Sequence, residues 1–402
     1  MAPAAASLDT TAVSTLLPGR GRGSLSAVLL AGAGAGGVLV ALWWWQRRRY
    51  RLAQPRICVD PEVLEALSGI REAYQLSASG GFLSDRCLRC LPPACAAWEA
   101  LAAELPRLNR LGQLRAKVDT MQEIDAGEAL RGAGPEALRR AYLVLGMLAH
   151  SYVHGPTVPW HLLKGVEAAD CATPQASSQS PAAAVAAAEI VSKNSREVPP
   201  QLAKPWFEVC RLLRMPPVLT AGATDLWNWH LRDATSRFVP SNLELTCAVT
   251  GTTTETNFHM VPCAMQAAAA HVVPKIFLAP SLLLRGGAGG EAARRDAALA
   301  ALLRELADVL GEFRSIFGEV PRGVDRDVFY DVYRPLLDGF YPEGVTLLGV
   351  SPGEAAEAQR RGELGAAEVV GGAGATAAVV RSKGPSAGQS TMILLFDLFL
   401  GV

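Results

Sequence analysis

Arg334 is the side chain in this sequence best suited to hold an anion. It lies in the run VFYDVYRPLLDGF, Val328 to Phe340, and on a helix Tyr330, four residues earlier, shares its face while Phe329 falls beside it. A guanidinium fork answers a carboxylate with two parallel hydrogen bonds. The two rings add an apolar wall for a flat ligand. Pro335 disfavours α geometry at Arg334 and would aim the guanidinium out of the helix. Taken alone, Arg334 reads as a surface residue paired with Asp331. A second stretch, Gly384 to Ser390, brings Ser386, Ala387 and Gly388 together. Residues this small let a planar group pass close to backbone, although by itself the stretch reads as a plain loop.

The other groups with chemical potential are scattered. Of the six histidines, His150 and His154 stand one helical turn apart and read as residues of a domain surface. His161 and His230 neighbour tryptophans, His259 follows Phe258, and His271 precedes an apolar run. Eight cysteines lie at 58, 87, 90, 95, 171, 210, 247 and 263. Cys87 and Cys90 have the C-x-x-C spacing, but no second Cys/His pair follows at zinc-finger distance. They read as structural thiols in a reducing compartment.

The elements that must position these residues are expected to be mainly α. Hydrophobic residues make up 50% of the chain and aromatic ones only 6%, with Ala and Gly supplying much of the rest, which suits closely packed helices. Lys plus Arg and Asp plus Glu number 38 each, so no basic field exists to attract nucleic acid. At 402 residues the chain is long enough for an enzyme with a sizeable core.

Residues 1–22 form an N-terminal tail. No charge occurs from Gly23 to Trp45, and Trp43, Trp44 and Trp45 are followed by Arg47, Arg48, Arg49 and Arg51, so 23–45 is expected to be a transmembrane anchor with the body facing the cytoplasm. The runner-up is an organelle-targeting sequence, since the tail is rich in Ala, Ser, Thr and Arg. A small helical domain is expected over 57–250, carrying an amphipathic helix from Arg139 to Val153 and a disordered, Ala/Ser/Gln/Pro-rich insertion at 166–199. A second helical domain follows over 251–402. Its clearest helix runs from Glu291 to Phe317, with Leu299, Leu302, Leu303, Leu306, Leu310, Phe313 and Phe317 on one apolar face. Gly371 to Ala378 reads as a flexible loop, and the closing apolar helix lacks a cap.

Five segments resemble the indoleamine 2,3-dioxygenase family: LVLGMLAHSYVHG (Leu143–Gly155), MPPVLTAGATDLWNW (Met215–Trp229), NFHMVPCAMQAAAA (Asn257–Ala270), VFYDVYRPLLDGF and SAGQSTMILLFDLFLG (Ser386–Gly401). The resemblance implies a two-domain helical fold in which 251–402 bears haem b. It implies a monomer that binds dioxygen and L-tryptophan, or a related indoleamine, and opens the indole ring to N-formylkynurenine. It makes Phe258, Phe329, Tyr330 and Arg334 the catalytic set, with Arg334 on the substrate carboxylate and Phe258 over the oxygen-binding face. Ser386, Ala387 and Gly388 would border both haem and substrate. Pro262 stands where the animal enzymes have a serine, and Ala221 replaces an aromatic pocket residue, which should widen the pocket. The family's haem-ligating histidine is expected beyond Val402, and none of the six histidines has a family precedent for that role. The alternative is a membrane-anchored, non-catalytic or sensor relative.

Overall fold

The computed structural model of the chain describes residues 61–73, 76–77, 80–163, 196–284, 290–370 and 376–401. The expected tail, the anchor at 23–45 and residues 166–195 of the insertion lie outside the described residues. Helices longer than one turn are α1 (Pro61–Ala73), α2 (Ala96–Arg110), α3 (Leu114–Asp119), α4 (Pro135–His154), α5 (Pro200–Leu213), α6 (Thr253–Ala269), α7 (Val273–Leu284), α8 (Gly290–Phe317), α9 (Pro352–Arg360) and α10 (Thr391–Leu400). The mainly helical class is therefore as composition predicts. Glu62–Val402 form one compact unit, whose largest core draws on residues from Leu91 to Val380.

At the centre of that core is α4. Pro135 opens it directly after Gly134, where a missing N–H costs nothing. From Arg140 to His154 every residue is buried, because α4 packs against α2 on one side and α5 on another. A side chain at Gly146 would lie 2.9 Å from Leu219, so glycine there lets the next segment close on the helix. This corrects two expectations: α4 is not amphipathic over its second half, and His150 and His154 are interior residues, not surface ones.

Among the described residues six short strands went unannounced by the sequence: β1 (Glu197–Val198), β2 (Trp229–Leu231), β3 (Leu243–Leu245), β4 (Val345–Leu347), β5 (Glu368–Val370) and β6 (Ala378–Arg381). They form a sheet in the order β1-β4-β6-β5, with β1 parallel to β4 and the other pairs antiparallel, and a separate β2–β3 hairpin. Val198, Val345, Leu347 and Val380 turn into the main core. Residues 196–199 were expected in the disordered insertion and Ala378 in a flexible loop; instead Val198 pairs with Leu347, and Ala378 opens β6 fully buried.

A second core joins α7, α8 and α10 through Val273, Ile276, Leu302, Leu306, Phe313, Met392 and Phe396. Phe313 and Phe396 stack at 6.0 Å. Leu303, Leu310 and Phe317 are exposed, so the apolar face of α8 is narrower than its pattern suggested. The closing helix does have a cap: Gly401 adopts φ 75° and donates its N–H to Asp397 O at 2.9 Å. Among the described residues no single helix is long and apolar enough to cross a membrane; α6 and Val273–Pro280 pass only as a pair bent by 53°.

Candidate functional site

Three segments converge where the sequence placed its candidate residues. One is a wide turn, Gly222–Leu226, whose hydrogen bonds run i to i+5; the second is α6; the third is another such turn, Val328–Tyr333. The sequence Thr252-Thr-Thr-Glu255 starts α6. Thr252 caps it by accepting from Glu255 N at 3.2 Å. The buried Glu255 carboxylate accepts from Val249 N, Thr250 N, Thr250 Oγ1 and Gly251 N, at 2.6 to 3.0 Å. It thereby pins the preceding loop and fixes where Phe258 and His259 emerge.

Phe258 faces Phe329 with ring centroids 4.6 Å apart and planes tilted by 38°, and Phe329 meets Tyr330 edge-on at 5.2 Å. Phe258 and Phe329 are half-buried and Tyr330 is exposed. Arg334 follows at once, also exposed, and its ion partner is Asp338 at 3.4 Å rather than Asp331. Both members of that pair are over half exposed, so the contact holds the guanidinium only weakly. Arg334 is helical (φ −54°, ψ −42°), contrary to the expected effect of Pro335. The wide turn explains the difference: Arg334 N bonds back to Phe329 O, five residues away, and this looser geometry accommodates the proline ring that follows.

The small-residue loop reaches the same neighbourhood through Gln389, which sequence reasoning passed over. Its Oε1 accepts from Ala221 N and Ser386 N, both at 3.4 Å, and its Nε2 donates to Gly384 O at 3.2 Å. Ser386 Oγ accepts from Gly388 N at 3.3 Å. A side chain at Gly384 or Gly339 would strike the other's backbone, so this loop lies directly against the segment that follows Arg334. Ala387 lies within the same single turn, Ala387–Gln389.

Behind the aromatic pair runs a polar chain that the sequence did not reveal. His259 bonds through Nδ1 to Asp225 Oδ1 at 2.6 Å and through Nε2 to the Tyr333 hydroxyl. Thr224 Oγ1 donates to the same Asp225 oxygen at 3.1 Å. His259 and Tyr333 are buried, while the Asp225 side chain is 21% exposed. Burial, then the nearby Glu255 and Asp225 carboxylates, hold the Tyr333 phenol well above its ordinary range, so it stays protonated and donates. With the Tyr333 hydroxyl donating to Nε2, the ring proton sits on Nδ1, where the Asp225 carboxylate accepts it.

Haem, which the resemblance implies, needs an axial nitrogen. His150 has none spare: Nδ1–H donates to Leu336 O at 3.1 Å and Nε2 accepts from Leu219 N at 2.9 Å. Burial, then His154, depresses its pKa to about 3. His154 stacks on Phe340 at 5.9 Å, and its buried Nε2 has no partner among the described residues. His230 pairs with Glu244 at 3.0 Å, His259 is engaged on both sides, and His161 and His271 are exposed. The described residues thus supply aromatic and small-residue walls but no axial ligand beside Phe258 and Phe329. Among them no group of three or more His, Cys, Asp or Glu is arranged to hold a metal ion. Cys95, Cys210, Cys247 and Cys263 are buried free thiols, each pushed up chiefly by burial.

Residues 70–402 match the family model described as indoleamine 2,3-dioxygenase. The chain is 27% identical over 339 residues to indoleamine 2,3-dioxygenase nanC of Aspergillus nanangensis, covering 82% of this chain and 68% of that protein. It is 27% identical over 349 residues to indoleamine 2,3-dioxygenase 2 of Homo sapiens, covering 85% and 68%. Against the indoleamine 2,3-dioxygenase of Saccharomyces cerevisiae it is 26% identical over 343 residues, covering 83% and 62%. The chain therefore spans about two thirds of the length of these relatives. With a family model matched over residues 70–402, most of its length, the chain belongs to the indoleamine 2,3-dioxygenase family.

Proposed function

We propose that this protein holds L-tryptophan, or a related indoleamine, for dioxygenation that opens the indole ring to N-formylkynurenine. Haem b and dioxygen enter this proposal through family membership, and no iron ligand is assigned to any described residue. The observation that carries it is the continuity of Phe258, Phe329 and Tyr330 with the exposed, weakly paired Arg334. An amino acid with a flat ring needs both at once. Arg334 would take the carboxylate with two hydrogen bonds, and the rings would cover the indole and exclude water. The Ser386–Gly388 loop would border the ring, held close by the tight backbone approach of Gly384 to Gly339. Ala221 and Gln389 connect that loop to the Gly222–Leu226 turn and keep it in register with the wall.

The engagement of His150, His230 and His259 favours a second reading, a non-catalytic or sensor relative that keeps the family body. One experiment separates the two. The purified chain is titrated with haemin while the Soret band is followed, and then supplied with tryptophan, reductant and dioxygen while N-formylkynurenine is measured by mass spectrometry. Haem uptake with product supports the dioxygenase. Uptake without product points to a sensor, and no Soret change to the non-catalytic relative.

A further inference from the structure

We propose that Tyr333 is a redox-active tyrosine, oxidised by one electron with His259 as its built-in proton acceptor. This stands apart from the indole-opening reading and needs no haem. A hydrogen-bonded chain runs from the Tyr333 hydroxyl to His259 Nε2 and from His259 Nδ1 to the Asp225 carboxylate. A phenol that loses an electron must also lose its proton or become a costly radical cation, and a buried phenol cannot hand that proton to water. Tyr333 is fully buried, yet the imidazole lies at hydrogen-bond distance, oriented by a carboxylate on its far side. The step balances: the O–H bond breaks, the electron goes to an outer-sphere one-electron oxidant, and the proton passes to His259 Nε2. The imidazolium so formed keeps Nδ1–H on the Asp225 carboxylate, which stabilises the new charge. Reduction reverses each transfer.

A route to the surface is present. Tyr330 is 62% exposed and meets Phe329 at 5.2 Å, and Phe329 meets Tyr333 at 6.4 Å. An oxidant arriving at the wall therefore finds Tyr330 first and Tyr333 as the place where the oxidising equivalent settles.

The test uses the full chain without haem, oxidised by flash-generated tris(bipyridine)ruthenium(III) with persulfate as electron acceptor and read by freeze-quench electron paramagnetic resonance. The expected result is a long-lived tyrosyl signal that is lost in Tyr333→Phe and shortened in His259→Gln. In Tyr330→Phe it should form more slowly while keeping its lifetime. A folded Tyr333→Phe protein with unchanged signal and lifetime overturns the proposal. Should Tyr333→Phe not fold, His259→Gln decides: an unchanged lifetime overturns the proposal and a shortened one sustains it.

Discussion

At the residue scale, Arg334 carries the sharpest prediction about ligand binding. Its present contact with Asp338 is exposed and weak, so its removal should cost the fold almost nothing. A bidentate charge-assisted contact to a carboxylate contributes about 1.5–3 kcal/mol, or roughly a 10- to 150-fold change in affinity. Arg334→Ala is therefore expected to raise the tryptophan Kd, measured by calorimetry, by that factor while thermal stability stays at the wild-type value. An unchanged Kd would remove the carboxylate from Arg334. Arg334, Phe329 and Tyr330 were legible because they are neighbours in sequence, where a few residues of spacing define a face. His259 was not: its two partners lie 34 residues before and 74 after it, and no local pattern encodes contacts at that range. The same limit hid His150, whose bonds to Leu219 and Leu336 span 69 and 186 residues.

At the scale of elements, the start of α6 shows one side chain setting the position of a functional wall. Glu255 accepts four hydrogen bonds from the loop before the helix, and it does so fully buried. Truncation leaves those donors without an acceptor, where each buried unsatisfied group costs about 1–3 kcal/mol before relaxation. Glu255→Ala should accordingly lower unfolding free energy in urea by about 3 kcal/mol or more, and should blunt ligand binding along with it. A loss within about 0.5 kcal/mol, the range of an ordinary surface change, would show that the loop holds itself. Elements differed in how far the sequence disclosed them. The 28-residue α8 declares itself by its repeat of apolar positions. Strands of two to four residues, such as β1 and β6, are too short for an alternating pattern, and β1 exists because Val198 finds Leu347 across the chain. The Thr252–Glu255 pair carried a local start signal, but only the fold directs the Glu255 carboxylate to residues 249–251.

At the scale of the molecule, two neutral histidines inside one core make stability depend on acid. His150 ties α4 to Leu219, ahead of the first wide turn, and to Leu336, after the second, so it joins both sides of the candidate site. Burial is the main cause holding its pKa at about 3 and that of His154 at about 4, against 6.5 for an unperturbed side chain. Because both folded values lie below the unfolded one, the unfolded chain binds more protons between them, and stability falls as pH drops from 6.5 toward 4 and 3. At pH 5 each histidine accounts for a loss of about 2 kcal/mol relative to pH 7. His154 allows its share to be isolated, since its buried Nε2 has no partner among the described residues and its ring stacks on Phe340. His154→Phe should keep that stacking and match or exceed wild-type stability at pH 7. Its drop between pH 7 and pH 5 should be smaller by about 2 kcal/mol, as measured by urea unfolding at the two pH values. An equal drop in both proteins would mean that folded His154 takes up its proton as readily as the unfolded chain does, and the acid sensitivity would then rest on His150 and the carboxylates.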